Sequence, residues 1–578
     1  MAPGPGTAAG DAARPWLRFY GAVPPSIDYP ETTLPQAVAA TAARVPQAVA
    51  WSFLGTDSTY TKLAADIERC AAGFAAEGLR AGDRLLVALP TIPQGVIAFY
   101  AANRLGAVPA MIHPLSTPPE IAHYLRATKA RMAVVLDAFH GAFAEGAKGL
   151  PVQRVVVARI GEYLPPLKRL GFWLAKGRKI PALPADPRIR QWADWLAAAP
   201  AEAPAFEGRA GDPAAILFSG GTTGEPKGIV LSHANFIAQG LQASRWCGLD
   251  RSGSILAVLP LFHGFGLGVC VNAALMAGAR SILVPQFSAE AVAKAIRTDR
   301  PSALVGVPTL FEALARDATL EKADLSCLRA CFCGADTLPR AVKERFEALV
   351  ARRGGRVRLL EGYGLTEAVT GIMAMPIDEY REGSIGVPFP DMLAKIVKPG
   401  TEDAVPDGEE GEICIAGPAV MTGYLDDPGA TAETVRVHAD GLRWLHTGDL
   451  GKRDADGFFY FSVRLKRMIK SSGFNVYPAQ VEAVLRRHPS VKECCVIGVP
   501  DPAQVERVVA CVVAADGAEP GPALAEALIE HCRGELIKWS CPREVTFVKQ
   551  LPLTRVGKVD FRALAREQAA ARAAKAAP

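Results

Sequence analysis

Short apolar, β-branched runs alternate with longer helical stretches along most of this chain. DRLLVALP, ARMAVVLD, RSILVP, PSALVGVP and LRACFCGA are interleaved with stretches such as TYTKLAADIERCAAGFAAEG. Alternation of this kind implies parallel sheets covered by helices, with ligand loops gathered at the strand ends. The expected fold class is therefore α/β. After about Glu409 the texture changes: GEICIAG, RWLHTGDLGKRD and GFFYFSV read as short strands joined by turns, a β-rich subdomain. The basic, glycine-containing stretch VRLKRMIKSSGFNVYP separates this from a last unit of helix (AQVEAVLRRH), strand (ECCVIGVP), strand (RVVACVVAA), helix (ALAEALIEHCRGEL) and strand (EVTFVK). That unit is expected to be a small α+β domain. The boundaries follow: a flexible N-terminal tail over 1–30, a large domain over 31–465 with its β-rich part at about 385–463, a small domain over 466–565, and an alanine-rich tail over 566–578.

The chain of 578 residues exceeds one average core, and roughly 150 residues per domain suggests two to four units. A net charge of +5 is too small at this size to argue for nucleic acid. The twelve cysteines are scattered, and the close ones, Cys331 with Cys333 and Cys494 with Cys495, make no metal-binding spacing. They read as reduced, buried thiols of a cytosolic protein. The N-terminal MAPGPGTAAGDAARPW has no apolar core ahead of a cleavage site, so no secretory signal is evident. Residues 252–279 carry no Lys, Arg, Asp or Glu, and a window of about 20 such residues would flag a membrane span. Pro260, His263 and the glycines at 264, 266 and 268 argue instead for a buried strand SILAVLP, a loop LFHGFGLG and a buried helix VCVNAALMAG.

One insert stands apart. In LKRLGFWLAKGRK (167–179), Leu167, Leu170, Trp173 and Leu174 share a face at 100° per residue, with Lys168, Arg169, Lys176 and Lys179 opposite. Two readings stay open: peripheral contact with an anionic membrane surface, or a solvated surface helix docked on the protein by its apolar side.

The stretch FSGGTTGEPKG (218–228) combines small residues, hydroxyls and a lysine, so a polyphosphate is the first ligand to consider. A Walker loop places its lysine directly after the last glycine and opens a helix. Here Glu225 and Pro226 stand between Gly224 and Lys227, so phosphate binding would need another geometry.

Four further stretches share this character: CGADTL (333–338), EGYGLTEA (361–368), WLHTGD (444–449) and LPLTRVGKVD (551–560). With the first, in this order, the set resembles the acyl-adenylate-forming superfamily of acyl-CoA synthetases, peptide-synthetase adenylation domains and beetle luciferase. The resemblance runs from about Pro35 to Leu564, and the Gly-Gly-Thr-Thr-Gly spelling is most similar to bacterial long-chain fatty acyl-CoA synthetases. It implies a large domain of two helix-covered, mostly parallel sheets with a small mobile C-terminal domain. It also implies ATP and CoA as co-substrates, Mg²⁺ as cofactor, and a carboxylic acid activated to acyl-AMP with loss of pyrophosphate. Both reacting partners are anions, so such a site must neutralise charge and hold them in line.

Residue by residue, the resemblance makes Ser219, Gly220, Gly221, Thr222, Thr223, Gly224 and Lys227 the wrap around the outer phosphates. Gly334, Ala335 and Asp336 would line adenine and the acyl pocket. Gly362, Tyr363 and Gly364 would flank adenine, with Tyr363 stacked on it; Thr366 would donate to the α-phosphate, and Glu367 would hold the magnesium. Asp449 would take the ribose hydroxyls beside Arg464, and Lys466 would be the hinge. Gly473 would border the CoA thiol's path, His263 and Phe265 the acyl pocket, and Lys558 would contact the acyl carboxylate and α-phosphate in the adenylation transition state. Relatives carry Asp before the arginine where this chain has Val463, so the orientation of Arg464 is open. The implied function is a cytoplasmic AMP-forming ligase joining a medium- or long-chain fatty acid to CoA; peripheral contact with the inner membrane surface turns on which of the two readings of 167–179 holds. Alternatives are an aryl acid–CoA ligase, an acyl-AMP ligase loading a carrier protein, a luciferase-type oxygenase and a silent membrane-associated binding module.

Overall fold

The computed structural model describes residues 14–219, 226–286, 288–467, 469–471, 474–476, 478–501, 505–536, 540–554 and 559–576. The chain divides into two compact units, one of residues 1–394, 414–446 and 455–458, the other of 395–413, 447–454 and 459–578.

The first unit holds two large sheets, as the alternation demands. One has eight strands, in the order Gly423–Tyr424, Lys227–Ser232, Pro213–Ser219, Val108–Met111, Arg84–Ala88, Met132–Leu136, Arg154–Ala158 and Ile189–Gln191. From Pro213–Ser219 onward its pairings are parallel. The other has nine, and its centre, from Leu359–Gly364 through Ala330–Cys333, Ala303–Gly306, Ser254–Ala257 and Arg280–Leu283 to Val49–Phe53, is parallel throughout. Strands such as Met132–Leu136 and Ala303–Gly306 are buried at every position, which explains why they read as continuous apolar runs.

Two expectations change. Residues 14–30 are not a loose tail: Trp16 is 1% exposed, the Tyr20 hydroxyl donates to the Pro388 carbonyl at 2.6 Å, and the Ile27 amide and Tyr29 hydroxyl both donate to the Asp391 carboxylate. Their aromatic side chains have enough apolar area to tie the segment down. Residues 252–279 do form a buried strand, Ser254–Ala257, but the expected loop ends at Gly264, where a π-helix, Phe265–Asn272, runs into the α-helix Ala273–Ala277. Among the described residues no helix is long and apolar enough to cross a membrane.

In the second unit Val505–Ala514 lies between Val491–Asp501 and Ile469–Ser471, with Phe474–Val476 outside the latter and Glu544–Phe547 adding parallel to Val505–Ala514. The order helix, strand, strand, helix, strand is as expected; the Ile469–Ser471 and Phe474–Val476 hairpin falls inside the stretch taken for a separator. Cys494 and Cys495 point to opposite faces of their strand and enter different apolar clusters, as alternation along a strand requires. Burial pushes both thiols up to about 12, so they are inert packing groups. All cysteines are unbridged.

Candidate active site

The ends of the parallel strands carry the motifs. Ala330–Cys333 and Leu359–Gly364 pair with Cys333 opposite Glu361, which brings Gly334 beside Gly362. A Cβ at Gly334 would lie 3.1 Å from the Gly362 carbonyl and 3.5 Å from the Phe265 ring. The next residue, Ala335, sits at φ +72°, a left-handed conformation that costs an L residue about 1 kcal/mol or more. The Asp336 carboxylate accepts from the Thr337 amide at 2.8 Å.

Beyond Gly364 the chain makes the single turn Thr366–Ala368 and then places Val369 at φ +63°. A β-branched residue there is a genuine outlier. Two glycines permit this turn to be approached. A Cβ at Gly364 would be 1.8 Å from the Thr370 carbonyl oxygen, and one at Gly264 would be 1.7 Å from that of Val369. The loop carrying His263 and Phe265 is thereby seated against the Thr366–Thr370 turn. The Phe265 amide donates to His263 Nδ1 at 3.1 Å, and the π-helix begins at once. π-helical turns continuous with an α-helix are frequent at functional sites.

Glu367 is tied to the opposite sheet. Its Oε1 accepts from the Tyr424 hydroxyl at 3.0 Å, and its carbonyl accepts from the Met421 amide at 2.8 Å. Tyr424 pairs with Ile229, two residues from Lys227. Lys227 Nζ lies 5.1 Å from the centre of the Tyr424 ring and 3.2 Å from Asp427 Oδ2. Burial, reinforced by the Glu367 charge, pushes the Tyr424 phenol well above its ordinary range; the Ala430 amide and then Lys227 hold the Asp427 carboxyl down. Tyr424 thus joins the lysine of the glycine-rich stretch to the acidic residue of EGYGLTEA. Neither Tyr424 nor Asp427 was singled out by sequence; the contact depends on strand register between segments 200 residues apart.

The hairpin also explains the spelling of FSGGTTGEPKG. Ser219 pairs with Lys227 across antiparallel strands, so the stretch joins strand to strand, whereas a Walker loop joins strand to helix. Gly220, Gly221, Thr222, Thr223 and Gly224 lie outside the described residues, as do Gly473 and Lys558; at Ser219 and Lys466 the backbone alone is described.

A second acidic group, Glu361, was quoted within its motif but given no role. It accepts from the Tyr380 hydroxyl at 3.0 Å, with Lys343 Nζ 4.0 Å above the Tyr380 ring. Burial raises its carboxyl, and the Lys343 charge only partly opposes this.

In the second unit, Asp449 and Arg464 are partners in the antiparallel pairing of Arg443–Arg453 with Phe459–Arg464, and Arg464 Nε lies 3.0 Å from Asp449 Oδ1. Asp449 is buried. Its segment is fixed locally: the Thr447 hydroxyl donates to the Ile413 carbonyl at 2.7 Å, and the Gly448 amide donates to Glu412 Oε1 at 3.0 Å. Register therefore orients Arg464 without an acid at position 463, where Val463 is buried. Lys466 sits in the turn Leu465–Arg467, and the neighbouring Arg467 pairs with Glu482.

Each unit thus holds motif residues in a fixed local geometry: a strained turn and an acid and lysine bridged by a tyrosine in the first, an Asp–Arg pair in the second. The chain belongs to the AMP-binding enzyme family, the AMP-forming acyl-CoA ligases: residues 38–425 match the AMP-binding enzyme domain and 480–558 its C-terminal domain. It is 34% identical over 563 residues to a long-chain-fatty-acid–CoA ligase of Bacillus subtilis, covering 96% of this chain and 98% of that one. It is also 34% identical to a feruloyl-CoA synthase of Amycolatopsis, over 89% and 94% of the two chains. Among solved structures it superposes on ATP-bound MatB from Rhodopseudomonas palustris with a TM-score of 0.80 at 26% identity, covering 93% and 99% of the chains. The anthranilate CoA ligase AuaEII with anthranoyl-AMP gives 0.80 at 25% identity, over 94% and 98%.

Proposed function

We propose that this ligase joins a medium- or long-chain fatty acid to CoA in two steps, the acid attacking ATP to give acyl-AMP and pyrophosphate, and the CoA thiol then displacing AMP. The observation that carries this reading is the Tyr424 bridge, because it brings Lys227, suited to the outer phosphates, within one side chain of Glu367, suited to the metal. A carboxylate oxygen beside phosphate oxygens is the donor set Mg²⁺ prefers, and Glu367 would hold it while Thr366 donates to the α-phosphate; the ion would neutralise phosphate charge. Gly334 and Phe265 would line the acid's entry with His263 beside them, and Gly362, Tyr363 and Gly364 with Ala335 and Asp336 would seat adenine. Asp449 would take the ribose hydroxyls with Arg464 holding its carboxylate, Gly473 would leave room for the thiol, and Lys466 would be the pivot. The acid is already ionised near neutrality, so no general base is required.

The reading includes a cytoplasmic enzyme in peripheral contact with the inner membrane face. An aryl acid is the second reading, favoured by the flat Phe265 ring against Gly334 and by the feruloyl-CoA synthase relative. Offering ATP, CoA, Mg²⁺ and a panel from short alkyl acids through long-chain acids to cinnamic and benzoic acids separates them. The highest kcat/KM is expected for the longer alkyl acids; a preference for the aryl series would replace the fatty-acid reading.

A further inference from the structure

Between Tyr163 and Ala185 the chain carries Lys168, Arg169, Lys176, Arg178 and Lys179, and no Asp, Glu or His. The structure makes this a helix, Pro166–Ala175, followed by the turn Gly177–Lys179. A surface helix ordinarily turns its apolar stripe to the core. This one is inverted. Leu167, Leu170, Trp173 and Leu174 are 86, 56, 55 and 48% exposed, while Phe172, across the helix, is its one residue that is not exposed, its ring lying near Gly161. The expectation that the helix docks on the protein by its apolar side is therefore corrected. A neighbouring turn carries one more exposed leucine, Leu54, at φ +49°, whose carbonyl accepts from Lys168 Nζ at 2.7 Å.

A contiguous exposed apolar patch rimmed by charge marks a contact surface. The charges of the segment, across the helix from the patch and in the turn that follows it, are all positive, which selects an anionic partner, and the geometry matches a bilayer surface. A ten-residue helix is about 15 Å long, half the hydrocarbon thickness, so it can lie in the interface but not cross it. Leucines beneath, an indole at headgroup depth and flanking lysines reaching the phosphates are the pattern of an in-plane anchor.

We propose that this face docks on an anionic lipid bilayer, with Leu167, Leu170 and Leu174 below the headgroups, Trp173 at their depth, and Lys176, Arg178 and Lys179 reaching the lipid phosphates, while Lys168 and Arg169 hold the helix to the protein. Its functional consequence rests on the fatty-acid reading above: a long-chain acid dissolved in the bilayer is collected at the surface where the enzyme sits. The binding itself does not depend on that reading.

The test mixes the purified full chain with vesicles of phosphatidylcholine alone or with phosphatidylglycerol added, and reads the bound fraction by cosedimentation. Binding is expected on the mixed vesicles only and should weaken as salt rises. Leu170→Ser with Trp173→Ser should lower affinity by about tenfold or more, and Lys176→Glu or Lys179→Glu by about fivefold each. Circular dichroism and thioester formation from a short, water-soluble acid should be unchanged in all three, which confirms their folding. A wild type inactive on every acid yet bound to the mixed vesicles would sink the ligase reading and leave the dock standing. The dock is overturned if the wild type ignores both vesicles, if the variants bind as the wild type does, or if Leu170→Ser with Trp173→Ser dissociates a dimer, which would give the face to a second copy of the chain.

Discussion

At Gly264 a single methyl group would meet the Val369 carbonyl oxygen at 1.7 Å. That oxygen belongs to backbone already held at a positive φ, so the clash can be relieved only by moving the His263 loop off the turn that carries Thr366 and Glu367. Gly264→Ala is therefore expected to destabilise the protein by about 1–3 kcal/mol and to lower adenylation at least as severely as folding; a variant with wild-type melting and wild-type kcat/KM would show that the loop need not touch the turn. Glu361 gives a pH-dependent expectation. Burial raises its carboxyl above the ordinary 4.5, so the folded state holds the proton more tightly than the unfolded chain. The stability this lends is complete below the unfolded pKa and is lost as pH rises through the folded one. The melting temperature of the wild type should thus fall relative to that of Glu361→Gln between about pH 4 and pH 7. Parallel thermal scans of the two proteins check this, and a difference that stays flat with pH contradicts it.

Strands and helices show what the sequence could and could not disclose. The parallel sheets were legible because strands buried on both faces are apolar without interruption, and the small domain because its elements are separated by clear turns. The hairpin Ile469–Ser471 and Phe474–Val476 was missed because its residues, Ile-Lys-Ser and Phe-Asn-Val, are too short and polar for a period of two to register. The first half of the π-helix, 265–268, was taken for a loop because its glycines at 266 and 268 read as breakers, whereas they admit close neighbours: a Cβ at Gly266 would lie 2.2 Å from the Pro260 carbonyl. Candidate residues carried by a motif could be named from the sequence. Those made by register, Tyr424 beside Lys227 above all, were not, since nothing local marks a pairing so distant in the chain. Register also resolves the open point at Arg464, which pairs with Asp449 across the strands. Arg464→Ala should raise the KM for ATP by about tenfold, the order expected for losing a charge-assisted bond, with kcat changed less. An unchanged KM for ATP would remove Asp449 and Arg464 from the nucleotide site.

For the molecule as a whole, the two half-reactions are the natural division. Lys558 lies outside the described residues and rests on its place in Thr-Arg-Val-Gly-Lys. Lys558→Ala is expected to abolish acyl-AMP formation while thioester synthesis from supplied acyl-AMP survives; equal loss of both would assign the lysine elsewhere. Underneath stands the claim that the chain forms an acyl-adenylate before it meets CoA. Exchange of labelled pyrophosphate into ATP, with acid and Mg²⁺ present and CoA withheld, tests it most directly. The expected result is exchange that depends on a medium- or long-chain acid, followed on adding CoA by release of AMP in step with acyl-CoA. Failure of exchange with every acid, or release of ADP and phosphate in place of AMP and pyrophosphate, would contradict it.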